Sequence, residues 1–443
     1  MRSRFIALVG LVLALALVAA ACGSSDSGEE STTSTEATTT TAAEAAETTT
    51  TAAEAAETTT TAAEAEALPP LVVWADDKRA PVIEEIAPAF TEATGVEVQV
   101  TLVDNESMKD EVTTKAPAGE GPDIFIGAHD WVGELAASGV VAPIDLGGRD
   151  AEFTETGLNA LKWEGSQYGL PYVTEAVALY YNTDLSPEAP TTLVELTAAC
   201  DAAGDAVENC LGVPGGNDGG DAYHHHPFLS ALGGYIFGYD PATGFDVEDI
   251  GLGNEGAIAG ATVVETLVTD GYLASTNYDD AKNLFLTGVE AFWLTGPWEV
   301  GALQDQSDVN WSVTTLPTID GSPMKPLVGV QGFYLSAFSE NKAVAEEFLL
   351  NYIATDDTML ALFEADPRGS AYVSVIDAVS GDPINATFAL SATTGQFMPN
   401  VPEMGAVWAP VGDNYLALRN GDIGAEEAAT IMAEQVATVI AEG

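Results

Sequence analysis

The stretch LVVWADDKRAPVIEEIAPAFTEATGVEVQV, residues 71–100, decides the fold. It opens on Leu71-Val72-Val73-Trp74, an apolar run of strand length. From Ala80 to Thr94 the residues Val82, Ile83, Ile86 and Phe90 recur at helical spacing, and Gly95 follows as a helix stop. Val96 to Val103 then alternates as a strand does. A further apolar run, Asp123-Ile124-Phe125-Ile126, is led in by Gly121-Pro122. Strand, helix, strand, loop, strand is the rhythm of an α/β protein with a largely parallel sheet. Downstream stretches repeat it: Val289 to Leu294 as strand, Lys342 to Ala354 as helix, Ala425 to Ile440 as a closing amphipathic helix. No repeat of roughly 20–50 residues runs through this body, which excludes a solenoid.

Outward from this core, composition narrows the function. The chain has 443 residues, 13 Lys+Arg against 68 Asp+Glu, and a formal net charge of −55. No basic stripe is available to neutralise phosphates, so nucleic acid is excluded as a partner. A polybasic patch for anionic lipid is excluded on the same ground. Hydrophobic residues make up 47%, enough to bury a core, so the chain is not disordered throughout. Such self-repulsion keeps a protein soluble and suits a strongly screening medium.

The first residues read as an address. Arg2 and Arg4 precede an apolar run from Phe5 to Ala21, so 1–21 is predicted to be a signal peptide and the protein to be exported. Cys22 directly follows Ala19-Ala20-Ala21 and resembles a bacterial lipoprotein cleavage site, where the thiol takes a lipid that anchors the protein to the extracellular face of the cell membrane. The position three before the cysteine holds Ala19 where that pattern usually has Leu; the alternative is an ordinary signal peptide with an incidental cysteine. Residues 22–67 are Thr/Ala/Glu-rich, with the decamer TTTTAAEAAE at Thr38 to Glu47 and again at Thr48 to Glu57. Nothing large and apolar is present to offset ordering entropy, so a disordered tether is predicted.

Cys200 and Cys210 enclose a short polar loop and, in an exported chain, are expected to pair; two reduced thiols are the alternative. No GxSxG, HExxH, P-loop or CxxC motif is present, and neither a metal nor a cofactor is implied. The run His224-His225-His226 lacks the i, i+4 spacing of helical metal ligands and is read as a polar loop lining a cleft. Aromatic residues in turn contexts are the more informative feature. Trp298 sits in Thr295-Gly296-Pro297-Trp298, Trp131 follows Ala128-His129-Asp130 at a strand end, Trp408 follows a Pro-rich segment, and Tyr223 precedes the histidines in a Gly/Asp loop. Flat rings stack on the apolar faces of pyranoses, and carboxylates accept from their hydroxyls.

These stretches carry a specific resemblance. LVVWADDKRA (71–80), GEGPDIFIGAHDW (119–131), GLPYVTEAVALYYNTDL (169–185), GGYIFGYD (233–240), FWLTGPWEV (292–300), LPTIDGSPMKPLVGV (316–330) and FMPNVPEMGAVW (397–408) occur in order over nearly all of 70–443. They resemble the extracellular solute-binding proteins of carbohydrate ABC transporters, most closely those for maltose and maltodextrins. The resemblance implies an α/β, two-lobed periplasmic-binding-protein-like fold (type II) with the ligand in the cleft between lobes. The N-lobe would be 70–173 plus 332–377 and the C-lobe 178–327 plus 384–443. The family's ligand positions fall on Asp76 and Lys78, with Asp77 and Arg79 as rivals in register, and on Asp130, Glu175, Asp221, Tyr223, Trp298, Met398 and Trp408. Trp131 stands at a position where the family has a basic residue, and Gly127 where it has a tryptophan. His224 replaces a ring, and Ala409 and Gly412 replace a tyrosine and an arginine, so stacking is redistributed. The implied function is capture of maltose, maltodextrin or a related α-glucoside for an ABC transporter permease, without catalysis. The alternatives are a receptor for a different disaccharide or other solute, and a secreted glycosidase using a carboxylate pair.

Overall fold

The strand Leu71–Ala75 pairs in parallel with Val98–Leu102, Leu71 opposite Val98 and Ala75 opposite Leu102. The helix between them, Ala80–Thr94, buries Val82, Ile83, Ala87 and Phe90. It stops at Gly95, whose φ of 75° is left-handed and whose N–H bonds Thr91 O. A computed structural model of the chain describes residues 68–215, 219–274, 277–306 and 308–442. The signal peptide 1–21, Cys22 and the tether 22–67 lie outside the described residues.

One sheet runs in the order Gln396–Phe397, Leu327–Ser336, Ile124–Ala128, Leu71–Ala75, Val98–Leu102, with Val141–Ala142 and Gly169–Glu175 also paired to Leu327–Ser336. The expected largely parallel sheet is corrected to a mixed one. Ile124–Ala128 and Gly169–Glu175 are both antiparallel to Leu327–Ser336. Helical crossovers fix parallel pairing only among the early strands; this ten-residue, wholly buried strand returns from a second sheet and enters from the other end. Alternation along the strands builds two cores. Leu71, Val73, Ile124 and Phe333 meet Phe90 and Phe348 on one face. Trp74, Phe125 and Tyr334 meet Val112 and Leu135 on the other.

The second sheet runs Trp311–Thr314, Ala178–Asn182, Glu290–Thr295, Asn209–Gly212. Its Leu179, Leu211 and Phe292 pack with Phe228, Val264, Tyr415 and Met432, and Tyr180 and Trp293 pack with Phe285 and Phe388. Only Ala176 and Val177, both fully buried, separate Gly169–Glu175 in the first sheet from Ala178–Asn182 in the second. Leu327–Ser336 lies in the first sheet from its first residue, and Gln396–Phe397 pairs with it at Leu327 and Val328. Cys200 and Cys210 are bonded, with Cα atoms 5.6 Å apart.

Two local expectations are corrected. The helix from Lys342 is α-helical to Phe348 and then widens into a π turn, Leu349–Ile353. Arg149 reaches the carbonyls of Leu350 and Ala354 there. The histidine run is not a loop: it lies in the helix Ala222–Ala231, where all three imidazoles are buried.

Candidate ligand-binding site

Three carboxylates collect at one edge of the first sheet because of strand direction. Leu71–Ala75 and Ile124–Ala128 are parallel, and Gly169–Glu175 shares their direction because both it and Ile124–Ala128 oppose Leu327–Ser336. Asp76, Asp130 and Glu175 therefore all sit at carboxyl ends. Crevices beyond those ends are where open α/β sheets bind ligands. On the second sheet, Glu290–Thr295 likewise ends in the short turn Pro297–Glu299 that carries Trp298.

Two half-buried tryptophans, Trp131 and Trp298, are each seated on a glycine. A Cβ at Gly127 would come within 2.4 Å of the Trp131 ring, and one at Gly296 within 2.1 Å of the Trp298 ring. The ring missing at 127 is thus compensated by Trp131 lying over that position. Trp298 Nε1 donates to the Tyr278 hydroxyl at 2.5 Å, and Tyr278 donates to Glu299 Oε1 at 2.7 Å. Tyr223 lies tilted to Trp298 with centroids 6.2 Å apart, and His224 meets Trp298 edge-on at 5.9 Å.

Trp408, at the start of the helix Trp408–Arg419, donates from Nε1 to Asp130 Oδ2 at 3.1 Å. Burial pushes the Asp130 carboxyl up to about 6, against the pull of Lys109 and of the Trp408 bond. Asp221 caps the histidine helix, accepting from His224 N at 2.9 Å and pairing with His224 Nδ1 at 2.7 Å. Its burial works against ionisation, but these His224 contacts outweigh it and hold the carboxyl below its usual range.

Glu175 is buried and engaged at both oxygens. It accepts from Gln331 Nε2 at 3.2 Å and from Arg368 Nη1 at 3.0 Å. Arg368 Nε pairs with Asp366 at 2.6 Å, Asp366 also pairs with Arg79, and Arg79 pairs with Asp76 at 2.8 Å. The Arg368 guanidinium sits over the Trp298 ring, 5.6 Å from its centroid. Asp76, Glu175, Trp298 and Tyr223 are thereby joined in one cluster, and Asp130, Trp131 and Trp408 form its neighbour.

Lys78 and Met398 are not brought in. Lys78 is exposed and pairs at 3.7 Å with Asp77, itself exposed; in that register the structure turns Asp76 and Arg79 inward. Met398 is 4% exposed among the core residues of the second sheet's helices, and its carbonyl accepts from His129 Nε2 at 3.0 Å. His129 Nδ1 accepts from Val330 N, which fixes that tautomer, and burial lowers its pKa to about 4. His225 and His226 are likewise lowered by burial, to about 3 and about 4. His225 bonds the Asp221 carbonyl where His224 bonds its carboxylate, and His226 bonds Gln396, so the three imidazoles of the run do not converge on one point. Among the described residues no three or more His, Cys, Asp or Glu are grouped to hold a metal. An aromatic cavity of about 520 Å³ lined by His226, Tyr239, Phe245 and Phe397 has none of the ten expected residues in its wall.

Sequence reasoning missed Arg368, Asp366, Gln331 and Tyr278. The available signal was scarcity: with 13 Lys+Arg in the chain, an arginine in the turn Asp366-Pro367-Arg368 is a conspicuous use of a cation.

A sequence model of the bacterial extracellular solute-binding protein family matches residues 85–388, which include strands of both sheets. The chain belongs to that family. A model of a new glue protein family also matches 1–81, a region dominated by the Thr/Ala/Glu repeat; it covers too little of the chain to assign membership. Among similar proteins is the galactooligosaccharide-binding protein of Bacillus subtilis, 27% identical over 82% of this chain and 88% of its own. The maltooligosaccharide ABC transporter solute-binding lipoprotein of Streptococcus pneumoniae strain R6 is 27% identical over 83% and 88%. The maltotriose-binding protein of Pyrococcus abyssi is 28% identical over 71% and 69%. Family and relatives are binding proteins rather than enzymes. Among the described residues no helix is long and apolar enough to cross a membrane.

Proposed function

We propose that this solute-binding protein captures maltose, maltodextrins or related α-glucosides and delivers them to an ABC transporter permease from the extracellular face of the membrane, anchored by a lipid on Cys22. The sugar binds between a lobe of 70–173 plus 332–377 and a lobe of 178–327 plus 384–443, with Leu327–Ser336 and Gln396–Phe397 at their shared boundary. One observation carries the reading: the Trp298 and Tyr223 rings of the second sheet's side stand with the Glu175 carboxylate at the carboxyl edge of the first, through Arg368. Rings on one side and carboxylates on the other are the complement of a pyranose. The names of the maltooligosaccharide- and maltotriose-binding relatives support the same class.

The galactooligosaccharide-binding relative, at comparable identity, supports a second reading in which the linkage is β-galactosidic. Calorimetric titration with maltose, trehalose, maltotriose and a galacto-oligosaccharide separates the two. Trp298→Ala is expected to weaken the preferred sugar at least about tenfold, or about 1.4 kcal/mol, the size of one good ring stack plus its lost backing. Unchanged affinity in that variant removes Trp298 from the site. Maltotriose is expected to remain uncleaved on incubation; glucose or maltose among the products would return the glycosidase reading.

A further inference from the structure

We propose that Arg368 sets sugar affinity by competition: its guanidinium holds the indole face of Trp298 and the carboxylate of Glu175, and an incoming pyranose must take both from it. This rests on the reading that Trp298 and Glu175 bind the sugar.

The argument starts from what a guanidinium and a pyranose share. A guanidinium is flat, lies on aromatic rings and donates to carboxylates from its edge. A pyranose lays an apolar face on a ring and donates hydroxyls to carboxylates. Arg368 already fills that role: it sits over Trp298 at 5.6 Å and donates to Glu175 at 3.0 Å. The indole has little alternative surface, since Gly296 lies against three of its ring atoms, where a Cβ would be 2.1–2.5 Å away. Glu175 has no unused oxygen either, because Gln331 takes Oε1 and Arg368 takes Oε2. Removal of one guanidinium therefore frees a stacking face and a charged acceptor together.

Displacement does not strand the cation. The Asp366 carboxylate lies 2.6 Å from Arg368 Nε, an ion pair without hydrogen-bond alignment that does not depend on Glu175. The side chain can swing about that contact and keep a carboxylate partner, avoiding the cost of a buried unpaired charge. A group that occupies the binding surface in part of the population lowers apparent affinity by the competent fraction. Weakening Arg368 must then strengthen sugar binding, the opposite sign to that of a residue that contacts the sugar or merely supports the fold.

The test is calorimetric titration of the whole protein with maltotriose and a galacto-oligosaccharide, as wild type, Arg368→Gln, Arg368→Lys and each paired with Trp298→Ala. Arg368→Gln is expected to bind the preferred sugar about fivefold tighter, about 1 kcal/mol at 1.4 kcal/mol per tenfold. Arg368→Lys, which keeps a cation for Asp366 but lacks the planar fork, is expected to shift the same way and decides the matter should the Gln variant not unfold cooperatively. In the Trp298→Ala background the gain is expected to shrink to the part contributed by the freed Glu175 carboxylate, because no indole face remains to be contested. Equal or weaker affinity in a cooperatively folded Arg368 variant, with wild type binding normally, overturns the competition alone. A wild type that binds neither sugar overturns the sugar reading itself, and this proposal with it.

Discussion

Replacing Gly296 by alanine adds one methyl group and tests whether the Trp298 ring is held where a sugar needs it. The backbone at 296 is extended, with φ −99° and ψ −180°, so alanine adopts it without strain and any cost is steric. The new Cβ would lie 2.1 Å from Cζ3, 2.2 Å from Cη2 and 2.5 Å from Cε3 of the indole. Restoring ordinary contact at 3.4 Å needs a ring movement of about 1.3 Å. Trp298 cannot yield freely, since Nε1 is bonded to Tyr278 at 2.5 Å and Arg368 lies over the ring. Overpacking of this kind costs about 1–3 kcal/mol. If the indole moves, the cost appears as weaker sugar binding, about fivefold to a hundredfold. If it stays, the cost appears as lost stability. Calorimetry with the preferred sugar and urea unfolding, run on the same variant, capture both. Affinity and stability each within error of wild type would refute the seating of Trp298 on Gly296.

Asp130 gives a pH signature. Its folded-state carboxyl titrates near 6 rather than 3.8, so from about pH 4 to 6 the folded chain holds more protons at this site than the unfolded chain, and stability falls as pH rises. Relative to Asp130→Asn, which keeps an acceptor for Trp408, wild type is expected to lose roughly 2 kcal/mol between pH 4 and 7 in urea unfolding and to change no further above that; parallel curves would remove the shift. Cys200→Ser opens the short loop between residues ten apart and is expected to cost about 2–3 kcal/mol in thermal unfolding, with sugar affinity unchanged because Cys210 lies beside the first residues of Glu290–Thr295 and Trp298 beyond its last.

Periodicity read the opening strand–helix–strand well because each element there is patterned by its own neighbours: Val82, Ile83 and Phe90 face one core, and Gly95 stops the helix. The sheet's mixed direction was not legible, because the direction of Leu327–Ser336 follows from a strand that returns from another sheet, and all ten of its residues are buried without alternation. The histidine run was misread for a related reason. Polar residue types argued for a loop, yet His225 stacks on Tyr415 at 4.7 Å and His226 bonds Gln396, partners contributed by distant segments. At the candidate site, Trp131, Trp298 and Trp408 stand out in the sequence from their turn contexts, the first two with a glycine beneath the ring. Their seating on Gly127 and Gly296 was written in the sequence as a glycine four or two residues ahead of a tryptophan, a spacing that acquires meaning only once the strand end bends the ring back.

The cations show why the rest stayed hidden. In so acidic a chain a surface arginine would find a carboxylate almost anywhere, at little net gain. The described arginines are used otherwise. Arg79 bonds Asp366, Arg149 bonds Leu350, Arg368 bonds Glu175 and Arg419 bonds Val213, across separations of 287, 201, 193 and 206 residues respectively. Each ties together segments brought near only by the finished fold. A guanidinium suits this task, because its fork satisfies several acceptors at once and stays charged when buried. Breaking one of these contacts therefore disturbs the relation between distant segments of the same sheet's surroundings more than any single element. Arg368 alone among the four also faces a tryptophan ring, and so is the one whose contact a sugar can trade for its own.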